Sequence, residues 1–250
     1  TYGGRLHRDR MATVQEMGEI FDAAWKGGGN ILIPAFAVGR SQELLYWFAR
    51  HWDDWGLSKW RIFLDSPMAN KVVGIYDRHQ ELFDAEAKAM FHGRMHPFHL
   101  PNLKYTSDVE ESKAINNYPS GAIIIAGSGM CNGGRIRHHL LRHLGNPKSH
   151  VLFVGYQSVG TLGRLLVDGI PEIKLFGELI KIKAKRHTIG GLSAHTDQAG
   201  LLEWYSALEG HPRVALVHGE DDARSSLAVA LKTRFDIEAV LPAYGDSFEI

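Results

Sequence analysis

Cysteine is nearly absent from this chain of 250 residues, because Cys131 is the only one. A lone thiol can form neither an intrachain disulfide nor a zinc cage made of cysteines. The composition therefore excludes both of these stabilising devices, and it fits the reducing cytoplasm.

Net charge is also missing, because 28 Lys and Arg residues balance 28 Asp and Glu residues. A global attraction to nucleic acid or to a membrane surface is therefore excluded, and any site for a polyanion must be a local patch. No apolar run approaches the roughly 18 residues of a membrane span, and the first residues do not form a signal peptide, so we expect no membrane partner. The sequence begins with Thr1 rather than Met, and we expect it to be part of a longer chain.

Hydrophobic residues make up 44% of the chain, which suffices for one large domain or two small ones. Short apolar runs predict strands at 31–38, 61–64, 121–126, 151–155, 213–217 and 238–241. Helical spacing predicts helices at 41–52, 69–83, 196–208 and 223–235, and 173–189 is predicted to be a hairpin. This alternation predicts an α/β fold with a mostly parallel sheet and helices on both faces.

Histidine is abundant, with 14 residues, and two of them lie in distinctive segments. His195 lies in Gly191-Leu-Ser-Ala-His-Thr-Asp197, and His218 lies in Val217-His-Gly-Glu220. Each segment follows a strand-like run and precedes a helical one, so we expect both imidazoles to emerge at the same edge of a sheet, where α/β folds build their sites. Histidine can bind metals or transfer protons, so these two residues are the leading functional candidates.

Two glycine-rich loops, 127–135 and 155–164, each follow a predicted strand and open a helix. Backbone amides in such loops can cradle an anion. The known nucleotide motifs fail, because a dinucleotide fingerprint needs glycine at Asn132 and a P-loop needs Lys and then Ser or Thr at Arg135 and Ile136. A phosphate contact and a purely structural tight turn both stay open.

Two further side chains have a catalytic and a simpler interpretation. Ser193 resembles the nucleophile of a Gly-x-Ser-x-Gly elbow, but His195 replaces the last glycine, which leaves a serine esterase as a weaker alternative. Asp65, at a predicted strand end, is a candidate catalytic carboxylate, although Asp-Ser-Pro is also a good strand-to-helix cap.

The remaining histidines fall in two groups. His139 and His143 are one helical turn apart, but Arg135, Arg137 and Arg142 flank them, so we expect a solvated basic face rather than a metal clip. His92, His96 and His99 lie in an irregular stretch with proline, where a metal site is likewise not favoured.

Seven motifs together resemble the β-CASP branch of the metallo-β-lactamase fold. They are Thr-Tyr-Gly at 1–3, Ile-Pro-Ala-Phe-Ala-Val-Gly-Arg-Ser-Gln-Glu at 33–43, Leu-Asp-Ser-Pro-Met-Ala at 64–69, Gly-Ser-Gly-Met at 127–130, Gly-Tyr-Gln at 155–157, Ser-Ala-His-Thr-Asp at 193–197 and Val-His-Gly-Glu at 217–220. The branch includes the cleavage subunit of the polyadenylation specificity factor and ribonuclease J. The resemblance spans nearly the whole chain in the family's order, and it implies RNA processing by a two-zinc hydrolase.

The resemblance also implies roles for individual residues. His195 matches the second β-CASP motif, a histidine near the metals that assists leaving-group protonation or phosphate binding. His218 matches the third motif, which is a zinc ligand. The run from Gly191 to His195 corresponds to a loop that grips the RNA phosphate, with Ser193 as a donor and with Ser128 and Gln157 as further contacts.

The family's other metal ligands are not found in this sequence. Its His-x-His-x-Asp-His cluster, a further His, a bridging Asp and the acidic residue before Ser-Thr-Tyr-Gly all belong upstream of Thr1. The resemblance thus divides the chain into 1–10, the end of a first metallo-β-lactamase segment, 11–190, the β-CASP domain, and 191–250, the return segment of the metallo-β-lactamase domain. A zinc site needs three or four protein ligands, so we expect two zinc ions in the parent protein, an incomplete site or none in this chain, and no activity without the missing N-terminal segment.

RNA is the expected partner, and basic residues near the loops must supply the attraction. Arg40, Arg135 and Arg164 are candidates, although each could equally be an ordinary surface arginine. A non-catalytic RNA-binding or phosphate-binding module stays open as an alternative, and so does a homodimer.

Overall fold

The computed structural model describes residues 2–247, and the chain divides into two compact units. The larger unit is Arg10–Gly190, and the smaller unit combines Thr1–Asp9 with Gly191–Ile250.

The larger unit contains seven helices and eight strands among its described residues. The helices are α1 (Arg10–Lys26), α2 (Arg40–Arg50), α3 (Pro67–Arg78), α4 (Ala85–Phe91), α5 (Val109–Ala114), α6 (Ile136–His143) and α7 (Leu162–Val167). The strands are β1 (Ile31–Pro34), β2 (Arg61–Asp65), β3 (Leu103–Tyr105), β4 (Ala122–Ala126), β5 (His150–Phe153), β6 (Glu172–Leu175), β7 (Glu178–Lys181) and β8 (Lys185–Thr188). Short 3₁₀ turns occupy Leu57–Lys59, Gln80–Leu82 and Ile115–Asn117.

Six of these strands form one parallel sheet in the order β3-β2-β4-β1-β5-β8. Every residue of β1, β4 and β5 is buried, as expected for central strands that are covered on both faces. On one face, α6 and α7 pack through Ile136, Leu140 and Leu166 against Leu32 and Phe153. The predicted α/β fold with a mostly parallel sheet is confirmed.

The predicted hairpin over 173–189 is only partly correct. β6 and β7 pair antiparallel around a turn at Phe176 and Gly177, which both have positive φ angles. β8 instead joins the main sheet parallel to β5. Alternation along the sequence could not reveal that change of partner, because a strand in either sheet has the same period of two.

The smaller unit contains α8 (Gln198–Ser206) and α9 (Asp221–Phe235). The predicted strands at 213–217 and 238–241 are reduced to a single parallel bridge between Ala215 and Val240. The core of the smaller unit consists of Leu202 and Tyr205 from α8 with Leu227 and Leu231 from α9. Within residues 2–247, no helix combines the length and apolar character that crossing a bilayer requires.

Candidate functional site

A buried carboxylate lies at the carboxyl end of β2, in the larger unit. Asp65 is fully buried, with 0% of its surface exposed. It accepts hydrogen bonds from Thr106 Oγ1 at 2.5 Å and from Ser112 Oγ at 2.7 Å. Both hydroxyls belong to the chain that follows β3, so the carboxylate ties two neighbouring parts of the sheet edge together.

Two cationic or basic side chains from the start of α6 complete this cluster. Arg135 Nη1 donates to Asp65 Oδ1 at 2.7 Å, and His139 Nε2 lies 2.7 Å from Asp65 Oδ2. Arg135 also donates through Nη2 to the Ser107 carbonyl at 2.9 Å. The name Asp65 cluster is used below for Asp65, Thr106, Ser112, Arg135 and His139.

The Asp65 carboxyl is ionised at every physiological pH. Burial raises its pKa, but hydrogen bonds from His139, Ser112, Thr106 and Arg135 lower it by more, so that the pKa is held well below the ordinary value of 3.8. Its burial leaves Asp65 no surface for contact with a substrate. The Asp-Ser-Pro sequence does open a helix, as expected, but the cap is Ser66, whose Oγ accepts from the Ala69 amide.

The expectation that His139 and His143 lie on a solvated face of α6 is wrong. His139 and His143 are only 3% and 7% exposed, and His143 Nδ1 lies 3.4 Å from Ser149 Oγ. Burial, together with the nearby charges of His139 and Arg142, lowers the pKa of His143 to about 4. Both histidines lie on the same side of α6 as the buried residues Ile136 and Leu140. This helical spacing of apolar residues indicates a buried face, whereas the flanking arginines favoured a solvated one.

The first glycine-rich loop, 127–135, is closed by its own hydrogen bonds. Ser128 Oγ lies 3.3 Å from the Gly133 carbonyl and accepts from the Gly133 amide at 3.2 Å. Gly134 has a φ of 73°, and a Cβ there would lie 2.3 Å from the Gly127 carbonyl oxygen. Only glycine fits this position, so the loop has a structural requirement of its own.

Gln157 links the two glycine-rich loops. Its Nε2 donates to the Gly129 carbonyl at 3.0 Å and to the Gly155 carbonyl at 3.3 Å. Its Oε1 is buried, and no donor within the described residues reaches it. Arg164 and Arg40 each contact a carboxylate nearby in the sequence. Arg164 Nε lies 2.8 Å from Asp168, the residue that follows α7, and Arg40 Nη1 lies 2.6 Å from Glu43 on α2.

His195 lies in an exposed loop of the smaller unit, and its backbone is held on both sides. Its amide donates to Ser193 Oγ at 3.2 Å, and its carbonyl lies 2.6 Å from His7 Nε2. Asp197 accepts from the His7 amide at 2.9 Å and from the Gly200 amide at 3.0 Å, which caps α8. Those two hydrogen bonds lower the pKa of Asp197, that from Gly200 the more strongly.

His218 is exposed as well, and it adopts a left-handed backbone conformation with a φ of 59°. His195 follows β8, a strand of the six-stranded sheet, whereas His218 follows the Ala215–Val240 bridge of the smaller unit. The two histidines thus follow different pieces of β structure rather than neighbouring strands of one sheet.

The described residues do not gather enough metal ligands around His218 to hold an ion. Among residues 2–247, the one group of three or more clustered His, Cys, Asp or Glu ligands is Asp77, His96 and His99, which includes neither His195 nor His218. A zinc site needs three or four protein ligands, so the chain does not by itself fit a zinc centre at His218.

The six-stranded parallel sheet and its two glycine-rich loops define the larger unit as an α/β domain. The Beta-Casp domain family matches residues 41–166, and the Zn-dependent metallo-hydrolase RNA specificity domain family matches residues 179–242. The first match covers half of the sequence, and the chain belongs to the Beta-Casp domain family.

Curated relatives are similar to this chain along most or all of its length. Ribonuclease TTHA0252 of Thermus thermophilus is 40% identical over 250 residues, covering 100% of this chain and 57% of the relative. Transcription termination factor FttA of Thermococcus kodakarensis is 31% identical over 259 residues, covering 100% of this chain and 40% of the relative. FttA of Methanosarcina mazei is 31% identical over 218 residues, covering 84% of this chain and 34% of the relative. The chain thus spans between 34% and 57% of the length of these three relatives.

Proposed function

We propose that this chain is part of an RNA-processing hydrolase of the β-CASP type. The two family matches, one of them to a metallo-hydrolase RNA specificity domain, and a relative named as a ribonuclease support this function. In this proposal residues 11–190 are the β-CASP domain, residues 1–10 end a first metallo-β-lactamase segment, and residues 191–250 are the return segment of that domain. The division into Arg10–Gly190 and the flanking residues supports these boundaries.

The observation that carries the proposal is the geometry of His195. Its amide and its carbonyl are both held, by Ser193 and His7, while the residue itself is exposed. A fixed backbone with an accessible imidazole suits a group that must meet a scissile phosphate in one orientation. Histidine can protonate a leaving oxygen near neutral pH, and this is the role we propose for His195.

His218 is proposed as one zinc ligand, through its imidazole nitrogen. Since one imidazole cannot hold the ion, the other ligands of the proposed two-zinc centre must come from a metallo-β-lactamase segment that this sequence does not include. The greater length of the relatives supports such a segment. The 250-residue chain alone is therefore proposed to be inactive.

The residues proposed to contact the RNA phosphate differ in how far other parts of the chain already engage them. Gly191 and Ser193 lie in the His195 loop and are the leading candidates. Ser128, Gln157 and Arg135 are engaged in contacts inside the larger unit, and they would contact RNA only through atoms left over from those contacts. Arg164 is partly exposed, and its pairing with Asp168 is of the weak surface type that a phosphate can displace.

The experiment compares the natural full-length protein with the 250-residue chain on a labelled single-stranded RNA. The proposal expects zinc-dependent cleavage by the full-length protein, loss of cleavage in its His218→Ala variant, and none by the short chain. Cleavage by the full-length protein that is indifferent to both chelation and His218→Ala would contradict it. Salt-dependent RNA binding without cleavage by either protein would instead support the non-catalytic RNA-binding alternative.

The serine esterase alternative gains no support from the geometry. A serine nucleophile needs an adjacent general base, such as an imidazole, within hydrogen-bond reach. The contact that Ser193 Oγ makes at 3.2 Å is with the backbone amide of His195.

A further inference from the structure

Three potential metal ligands meet in the larger unit, away from the histidine loops. Asp77 lies in the last turn of α3, and His96 and His99 lie in the segment between α4 and β3. Each offers one ligand atom, and these atoms all lie within 4.8 Å of one another. Sequence spacing did not favour a metal here, because Asp77 is distant in sequence and only the fold brings it to the two histidines.

The distances suit a shared ion better than direct hydrogen bonds. His96 Nε2 lies 3.4 Å from Asp77 Oδ1, and His99 Nε2 lies 4.0 Å from Asp77 Oδ2. A charge-assisted hydrogen bond would draw such atoms to about 2.7–2.9 Å. A tetrahedral zinc ion with bonds of about 2.1 Å instead holds its ligand atoms roughly 3.4 Å apart, so small side-chain movements would complete the geometry.

Hydrogen bonds from neighbouring residues fix the positions of Asp77 and His96. Gln80 Nε2 donates to Asp77 Oδ1 at 3.2 Å, and the Phe98 amide donates to His96 Nδ1 at 3.2 Å. The Tyr105 hydroxyl in turn donates to the Phe98 carbonyl at 2.7 Å. The Gln80 contact is of the kind that holds a ligating carboxylate in place in metal sites.

One of these contacts opposes binding. Because His96 Nδ1 accepts the Phe98 amide, the proton of the neutral ring lies on Nε2. A metal at Nε2 must displace that proton to Nδ1, and the Phe98 contact must then open. The site is therefore only partly preorganised, and we expect weaker binding than in a closed structural zinc site.

We propose that Asp77, His96 and His99 bind one divalent transition-metal ion of the zinc class. Two imidazoles and one carboxylate match the ligands of zinc, whereas calcium and magnesium prefer oxygen ligands alone. The side chain of His99 is 65% exposed, so solvent can reach the ion and water can fill its fourth position. The ion would fasten the segment between α4 and β3 to α3, and this role is independent of RNA cleavage.

The test uses the 250-residue chain, stripped of metal with a chelator and then titrated with Zn²⁺ in a calorimeter and with Co²⁺ by visible absorption. A His195→Ala/His218→Ala background removes the histidines proposed for the catalytic centre. We expect one equivalent of zinc and a tetrahedral cobalt spectrum in that background. His99→Ala and Asp77→Asn should each weaken zinc binding by at least about tenfold, since losing even an outer partner of a ligand costs that much.

His92→Ala is the matched control, because His92 is an exposed histidine in the same stretch of chain. It should retain the affinity of its parent. The proposal is overturned if no zinc binds, if His99→Ala binds zinc as its parent does, or if His92→Ala loses as much affinity as His99→Ala. Circular dichroism checks that each variant folds, and His99→Ala changes a side chain exposed enough to keep the test valid should Asp77→Asn fail to fold.

Discussion

The carboxylate of Asp65 lies 2.7 Å from His139 Nε2, although 74 positions separate the two residues in the sequence. The same carboxylate accepts hydrogen bonds from Thr106, Ser112 and Arg135. The end of β2, the chain after β3, α5 and the start of α6 are thus fixed to a single buried charge. The shape of this sheet edge depends on that charge.

Asp65→Asn should destabilise the larger unit strongly. The change leaves the Arg135 guanidinium, whose side chain is only 20% exposed, without its counter-charge. Removing one partner of a buried ion pair costs about 3–5 kcal/mol, and we expect the lower end here because Arg135 keeps some contact with water. Urea unfolding of the chain measures the loss.

Asp53→Asn is the control for this experiment, since Asp53 pairs with Arg94 at the surface, where both side chains are largely exposed. It should change the free energy of unfolding by no more than about 0.5 kcal/mol. A similar small effect for Asp65→Asn would show that the Asp65 cluster does not hold the fold.

His143 should make the stability of the chain depend on pH. Its pKa is 6.5 as a free group and about 4 in the fold, so between these values the unfolded chain binds a proton that the folded chain does not. The contribution is complete above pH 6.5 and is lost as the pH falls toward 4. Between pH 7.5 and pH 5 the loss should be on the order of 2 kcal/mol.

His143→Asn removes that titration and tests the assignment by urea unfolding at each pH. The variant should lose less stability than the parent between pH 7.5 and pH 5, and the two should change in parallel above pH 7.5. Parallel behaviour over the whole range would mean that His143 is protonated in the fold as readily as outside it.

Gly134→Ala should disrupt the first glycine-rich loop. The new Cβ would meet the Gly127 carbonyl oxygen at 2.3 Å, and the φ of 73° disfavours any residue with a side chain. We expect a loss of about 2 kcal/mol or more in the free energy of unfolding. Gly133→Ala, where a Cβ meets nothing within 4 Å, should cost much less; equal losses at the two positions would contradict this account of the loop.

Asp197→Ala should loosen the His195 loop. The change removes the cap of α8 and the acceptor for the His7 amide, and losing a helix cap costs about 1 kcal/mol. In the full-length protein, RNA cleavage should fall, because Asp197 positions His7, whose imidazole contacts the His195 carbonyl. Glu209→Ala, at an exposed residue of the same unit, should leave cleavage unchanged, and unchanged cleavage in Asp197→Ala would show that the loop needs no such support.

The central strands were predictable because their signal is local. Runs such as Ala122–Ala126 are apolar at every position, which marks a strand buried on both faces. Helix α1, which the sequence analysis does not predict, carries an equally local signal, since its buried residues Thr13, Met17, Phe21 and Ala24 recur at helical spacing.

The Asp65 cluster could not be predicted, because its members meet only when β2, α5 and α6 are in place. Sequence spacing showed His139 between arginines and favoured a solvated face, whereas the fold supplied a buried carboxylate from a strand far away. The same reason applies to Asp77, whose approach to His96 depends on how α3 lies beside a later loop. His195 could be proposed from the sequence alone because its whole motif is contiguous.

The turnover of a labelled RNA by the full-length protein carrying His195→Ala tests the central claim most directly. If His195 protonates the leaving group, kcat should fall by about 10²-fold or more, while zinc content and RNA affinity stay close to those of the parent. The full-length protein carrying His92→Ala should cleave the RNA at the parental rate. A His195→Ala protein that cleaves RNA at the parental rate would contradict the account.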